Sequence, residues 1–140
     1  MSVTVITGAA SGLGWAMAQR FFARGDHLLL IDRDETLLRQ REHELGSVPR
    51  VQVSMLDLTD AEKVTALAAQ LRSDFPRIDV LVNNAGITHR SPAIRTQPDV
   101  LRRVMEVDYH AVVSLTLALY PSIEAAQGTV INVGSMAGWM

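Results

Sequence analysis

Glycines stand at positions 8, 12 and 14, directly behind Val3-Thr4-Val5-Ile6-Thr7 and ahead of Trp15-Ala16-Met17-Ala18. With no side chain to hold it away, a bulky anion can come close to the backbone at such positions. A helix that begins near Gly12 offers its free N–H groups and the positive end of its dipole to that anion. The stretch therefore reads as a phosphate cradle, with a purely structural turn as the alternative. Asp32 ends a second apolar run, close to the roughly 20-residue offset at which a carboxylate accepts hydrogen bonds from an adenosine ribose. A carboxylate there repels a 2′-phosphate and so favours NAD over NADP, whereas the adjoining Arg33 carries the charge to pair with that phosphate. N-capping of the helix that follows is the competing role for Asp32. Asn83-Asn84-Ala85-Gly86 closes another apolar run. Its amides can tie neighbouring strands together, and Ala85 and Gly86 let the chain pass beside a bound ribose. Asp57 reads on residue type as a local Asx turn, and Ser135 as a strand-end hydroxyl that satisfies nearby backbone.

These groups need elements to hold them, and the hydrophobic pattern supplies a regular alternation. Val3 to Thr7 is a charge-free β-branched run, the pattern of a buried parallel strand. The helix after it stops at Gly25, a suitable C′ residue. Asp26 to Asp32 reads as a second strand, Asp34 to Leu45 as a helix, and Arg50 to Met55 as a third, partly exposed strand. A helix from about Ala61 to Asp74 follows, capped by Thr59 or Asp60. The fourth strand, from Ile78, leads into Asn83-Asn84, and Ile87 to Gln97 reads as a loop. One long helix is expected from Asp99 to about Ala126, kinked near Pro121. The fifth strand starts at Thr129 and is expected to end in Ser135. Strands alternating with helices demand an α/β fold: a doubly wound parallel sheet with right-handed crossovers and helices on both faces. The segment Ala111 to Tyr120 is apolar nearly all round, so it needs cover on two sides. One side should meet the sheet and the other a second subunit or further chain, which predicts a homo-oligomer through helix 99–126.

The 140 residues are one domain's worth of chain, long enough for a sizeable core. With 48% hydrophobic residues, 20% charged and a net charge of −2, the composition gives no reason to expect a nucleic-acid partner. Cysteine is absent, which excludes disulfides and thiol chemistry. No basic n-region precedes the first strand and the longest apolar run is too short to span a bilayer, so neither secretion nor membrane insertion is expected and a cytoplasmic setting is. The four histidines are scattered and suggest no metal site.

Thr7-Gly8-x-x-x-Gly12-x-Gly14 after a strand, together with Asn83-Asn84-Ala85-Gly86, resembles the short-chain dehydrogenase/reductase family. The resemblance covers essentially the whole chain and the first part of a typical member, so a Rossmann-type sheet in the order 3-2-1-4-5 is expected, truncated relative to the full fold. Both glycine-bearing segments then fall where the strand order reverses, the place where such sheets bind ligands. The resemblance implies that Gly8, Ser11, Gly12, Leu13 and Gly14 hold a nicotinamide dinucleotide, with Asp32 and Arg33 at the ribose. It further implies that Asp57 reaches the adenine amine, that Leu58 offers a backbone group, and that Asn84, Ala85 and Gly86 line the ribose. Ser135 matches the family's serine that hydrogen-bonds a substrate alcohol or ketone.

Two departures qualify that picture. The family's general acid is a Tyr with a Lys four residues on, and no such pair occurs in the chain: Tyr109 is followed at that spacing by Val113, Tyr120 by Glu124. The pair is expected beyond residue 140, leaving this stretch without turnover. In Val107-Asp108-Tyr109, Asp108 stands where the family usually places an Asn that holds a helix kink and a relay water; an ionised Asp only accepts hydrogen bonds. A non-catalytic nucleotide-binding or assembly module is the second reading. A methyltransferase is the third, although Asn-Asn-Ala-Gly and Gly-Ser-Met-Ala-Gly have no role there.

Overall fold

The computed structural model describes residues 1–139 and contains an all-parallel, five-stranded sheet in the order β3-β2-β1-β4-β5. Its strands are β1 (Val3–Thr7), β2 (His27–Asp32), β3 (Val51–Met55), β4 (Val80–Asn83) and β5 (Thr129–Asn132). The helices are α1 (Gly12–Arg24), α2 (Glu35–Glu44), α3 (Ala61–Asp74), α4 (Pro98–Met105) and α5 (Ala111–Ala126). Strand order and the Rossmann-type α/β class agree with the expectation from sequence.

Alternating side chains of the central strands feed two separate cores. Val5 of β1 and Leu81 of β4 enter one with Val64, Ala68 and Leu71 of α3 and Leu115, Leu119 and Ile123 of α5. Ile6 of β1 and Val80 and Val82 of β4 enter the other, with Ala18 of α1 and Leu38 of α2. Because both faces are covered, these strands carry apolar residues without a polar alternation. Each fully buried Ile or Leu contributes about 1.5–3 kcal/mol by leaving water.

Two expectations are corrected. The helix expected over 99–126 is interrupted by a π turn at Glu106–His110, so α4 and α5 are separate pieces. One extra residue in a helical turn leaves the apolar periodicity almost unchanged, which is why the pattern conceals it. Pro121, by contrast, lies inside α5, which is helical through it. The fifth strand ends at Asn132 rather than Ser135, and Ser135 sits beyond it, just before a 3-10 turn at Met136–Trp139. The loop 87–97 contains a 3-10 turn at Ala93–Arg95. No helix among the described residues is long and apolar enough to cross a membrane.

Candidate functional site

At the C-terminal ends of β1 and β4, where the strand order reverses, the two glycine-bearing segments lock into each other. Asn84 donates from Nδ2 to the carbonyls of Thr7 and Gly8 (both 3.2 Å). In return, Thr7 Oγ1 accepts the backbone N–H groups of Asn84 (3.1 Å) and Ala85 (3.0 Å). A Cβ on Gly14 would lie 2.0 Å from the Gly8 carbonyl oxygen, and one on Gly8 2.9 Å from Asn84 Nδ2 and Ala85 Cα. Those two glycines are required by close approach. Gly12 is different: open space surrounds it, but its φ of +56° is one that L side chains rarely adopt. Ser11, the N-cap of α1, makes no capping bond with its hydroxyl. Among the described residues that leaves a hydroxyl with no capping role beside amide groups that have no acceptor within the helix.

Around this junction lies a cavity of ≈ 260 Å³, lined by Gly8, Ser11, Asp32, Arg33, Asp57, Leu58, Asn84, Ala85 and Gly86 among others. Most of the residues singled out from sequence are thus brought together on one surface. Gly12, Leu13, Gly14, Asp108 and Ser135 are outside that lining.

Asp32 does not cap α2. Asp34 is the N-cap, accepting from Leu37 N, while Asp32 accepts the N–H of Asp34 through Oδ1 and the N–H of Ala10 through Oδ2, each at 3.0 Å. The carboxylate therefore joins the glycine loop to the start of α2, with lone pairs to spare for other donors. Asp57 forms the Asx turn read from its residue type: Oδ1 accepts from Thr59 N (2.9 Å) and Thr59 Oγ1 (2.8 Å). The Thr59 backbone N–H, then its hydroxyl, holds the Asp57 carboxyl below the usual carboxylate range, and the positive charges of Arg33 and Arg103 add to the effect. Asp60, not Thr59, caps α3.

Asp108 sits in the π turn and accepts the backbone N–H of Ile87 at 2.9 Å, tying that turn to the segment after Gly86. Asn83 Nδ2 donates to Thr116 Oγ1 (3.0 Å) on α5 and to Asn132 Oδ1 (2.9 Å) on β5. Beyond β5, Ser135 Oγ accepts the N–H of Ala137 at 3.1 Å. Sequence reasoning passed over Thr7 as a hydrogen-bonding hub and Arg103 as a lining residue. A threonine at the end of a buried run, just before a glycine, was a usable signal for the first. Arg103 lies on α4, far along the chain, and no local pattern marks it.

Comparison with known proteins bears on this arrangement. The family described as short chain dehydrogenase matches residues 2–140. The chain is 40% identical over 145 residues to dehydrogenase/reductase SDR family member 7B of Bos taurus, a match that takes in 98% of this chain and 45% of the relative. A short-chain dehydrogenase from Streptomyces avermitilis superposes with a TM-score of 0.91 at 34% identity, over 99% of this chain and 51% of that one. A metagenomic short-chain oxidoreductase in complex with NADP superposes with a TM-score of 0.90 at 32% identity, over 98% of this chain and 63% of that one. The chain spans about half the length of the curated relative it matches. It belongs to the short-chain dehydrogenase/reductase family.

Proposed function

We propose that residues 1–140 form a single cofactor-binding domain of an NAD(H)-dependent oxidoreductase acting on an alcohol/ketone pair. The observation that carries this reading is the cavity at the β1–β4 junction, where the glycine loop, Asp32, Asp57 and Asn84–Gly86 converge. The donor set fits a dinucleotide. Backbone amides at the start of α1 and the Ser11 hydroxyl suit a diphosphate, and a Cβ at Gly8 would push away the Asn84–Ala85 segment that closes the cavity beside them. Asp32 has acceptor capacity left for ribose hydroxyls, and Asp57, kept ionised by Thr59, suits the adenine amine. When bound, the nicotinamide supplies hydride transfer to or from a carbonyl carbon.

Ser135 would orient the substrate oxygen. Its Oγ already accepts from Ala137, so the hydroxyl proton is left to donate. Asp108, fixed by Ile87, offers acceptor oxygens to a relay water and no donor. The chain contains no Tyr-x-x-x-Lys pair, so this stretch binds without turnover. A cytoplasmic setting and self-association belong to the same proposal. Leu101, Met105, Tyr109, Val113 and Leu117 are exposed at four-residue spacing along α4, the π turn and α5, an apolar face suited to a second copy of the chain.

Calorimetric titration with NADH, NADPH and S-adenosylmethionine tests the binding claim. NADH should bind with weak affinity and more tightly than NADPH, because of the Asp32 carboxylate. The NADPH arm matters since Arg33 and Arg103 line the same cavity and could pair with a 2′-phosphate. Tighter binding of S-adenosylmethionine than of either dinucleotide, or steady reduction of a ketone by this chain alone, would overturn the proposal.

A further inference from the structure

Arg41 stands on α2, outside the cavity, with a side chain only 21% exposed. Its Nε donates to the carbonyl of Ala10 in the glycine loop at 2.9 Å. Its Nη1 donates to both carboxylate oxygens of Glu44, at 3.2 and 2.9 Å. Its guanidinium carbon lies 4.7 Å from the centroid of the Trp15 ring on α1. One side chain thus touches the loop, the helix that the loop opens, and the helix that follows β2.

The position of that contact matters more than its strength. Gly8 and Gly12 both adopt left-handed φ values, +64° and +56°, so the segment between them hangs on two permissive hinges. In that segment Ala9 N–H is bonded to the Ile31 carbonyl (3.2 Å) and Ala10 N–H to Asp32 (3.0 Å). The Ala10 carbonyl is bonded to Arg41. Ala10 is therefore held on both of its polar sides by residues of β2 and α2, and the groups beyond it are left to converge on a ligand. Arginine suits this position because its planar fork serves Ala10 and Glu44 at once while its face lies on an indole, which a lysine cannot reproduce. Because Glu44 neutralises its charge and the cavity lies elsewhere, what Arg41 contributes is placement.

We propose that Arg41, backed by Trp15, is a positioning residue for the glycine loop, holding it in its diphosphate-accepting shape before any ligand arrives. The ligand class rests on the function proposed above, but the clamp itself does not. A loop already held in its binding shape binds more tightly, since the ordering cost falls before association rather than during it.

The test compares the chain with Arg41→Met, which keeps the stem against Trp15 and removes the donors, and with Arg41→Lys and Trp15→Leu. Arg39→Gln is the control, since it breaks an exposed ion pair to Glu42 on the same helix. Amide hydrogen exchange is read at Ala10 and at Val82 in the ligand-free chain, and ADP and adenosine are titrated separately. In Arg41→Met, exchange at Ala10 should rise about tenfold relative to Val82, the factor one net hydrogen bond is worth. Binding of ADP should weaken by a similar factor, while adenosine, which has no diphosphate, is unaffected. Arg41→Lys should fall between the two, and Trp15→Leu should repeat the pattern more weakly. Unchanged exchange at Ala10 in Arg41→Met overturns the clamp, as does equal weakening of ADP and adenosine or the same response in Arg39→Gln. A responsive loop in a chain that binds neither ADP nor NADH supports the clamp and instead overturns the diphosphate ligand.

Discussion

β1 and β5 are built from the same kind of sequence, Val-Thr-Val-Ile-Thr and Thr-Val-Ile-Asn, and their surroundings are opposite. β1 lies between β2 and β4, with a core on each face, and four of its five residues are buried. β5 pairs with β4 alone, and all four of its residues are exposed, Val130 and Ile131 included. The outer face of α5 shares that condition, with Leu117 68% exposed. A β-branched run therefore specifies a strand, while burial is decided by what packs on it. Tolerance to change should follow the surroundings, and the cavity sits at the junction of β1 and β4, beside the strand that has a core on each face.

The largest effect expected from that contrast is at Gly14. In Gly14→Ala the new Cβ would meet the Gly8 carbonyl oxygen at 2.0 Å and Asn84 Nδ2 at 2.5 Å, so the two glycine-bearing segments must separate. Such overpacking should destabilise the chain by about 3 kcal/mol or more and abolish dinucleotide binding. Gly134→Ala, with no atom within 4 Å of the new group, should change stability by less than about 0.5 kcal/mol. Urea midpoints for the two variants measure the difference, and equal midpoints would remove the contrast.

A smaller effect is expected at Asp26, beneath β1. Burial alone would raise its pKa. The bonds from Arg24 (2.8 and 2.6 Å) and Thr4 Oγ1 (2.6 Å) outweigh that and hold it below the usual value. The unfolded chain then takes up the proton first as the solution is acidified. The stability from this carboxylate is complete above the ordinary value of about 4 and is lost as pH falls through the lower, folded-state pKa. Asp26→Asn should cost about 2–3 kcal/mol at neutral pH and less at pH ~3, flattening the acid limb of the stability curve. In the open region, Tyr120→Phe removes an exposed bond to Glu124 (3.0 Å) and should leave the midpoint in place. Parallel acid limbs for Asp26→Asn and the parent chain would contradict the assignment.

The same contrast explains what was legible in the sequence. The alternation of strands with helices and the bounds of α3 follow from short-range patterns: apolar period, caps and small residues. The strand order and the gathering of Gly8, Asp32, Asp57 and Asn84 at one junction follow instead from the family resemblance that the two glycine-bearing segments carry. The π turn at Glu106–His110 was hidden because one inserted residue barely disturbs helical periodicity. Ser135 was expected on β5 because Val133 continues the apolar run, whereas pairing with β4 stops at Asn132, opposite Asn83. Arg41 and Arg103 were invisible for a different reason. Each reaches the site from another element, and an exposed-looking arginine on a helix carries no local mark of the carbonyl or cavity it serves.

The smallest effect on the fold is expected at Leu117, and there the contrast can be sharpened rather than broken. Its side chain projects from α5 on the face away from Leu115 and Leu119, which are buried in the core. Leu117→Glu alters a largely exposed side chain and adds a solvated charge, so stability read from urea unfolding at low protein concentration should change by less than about 0.5 kcal/mol. If a second copy covers this face, a two-fold interface presents the charge twice, and self-association should weaken by about 100-fold or more. Sedimentation velocity over a range of concentrations reads that directly. A parent chain that stays monomeric, or a variant that assembles as the parent does, would remove the outer face of α5 as the partner surface. The unfolding midpoint of Leu117→Glu would then report on exposure alone, and should still fall far short of the loss at Gly14.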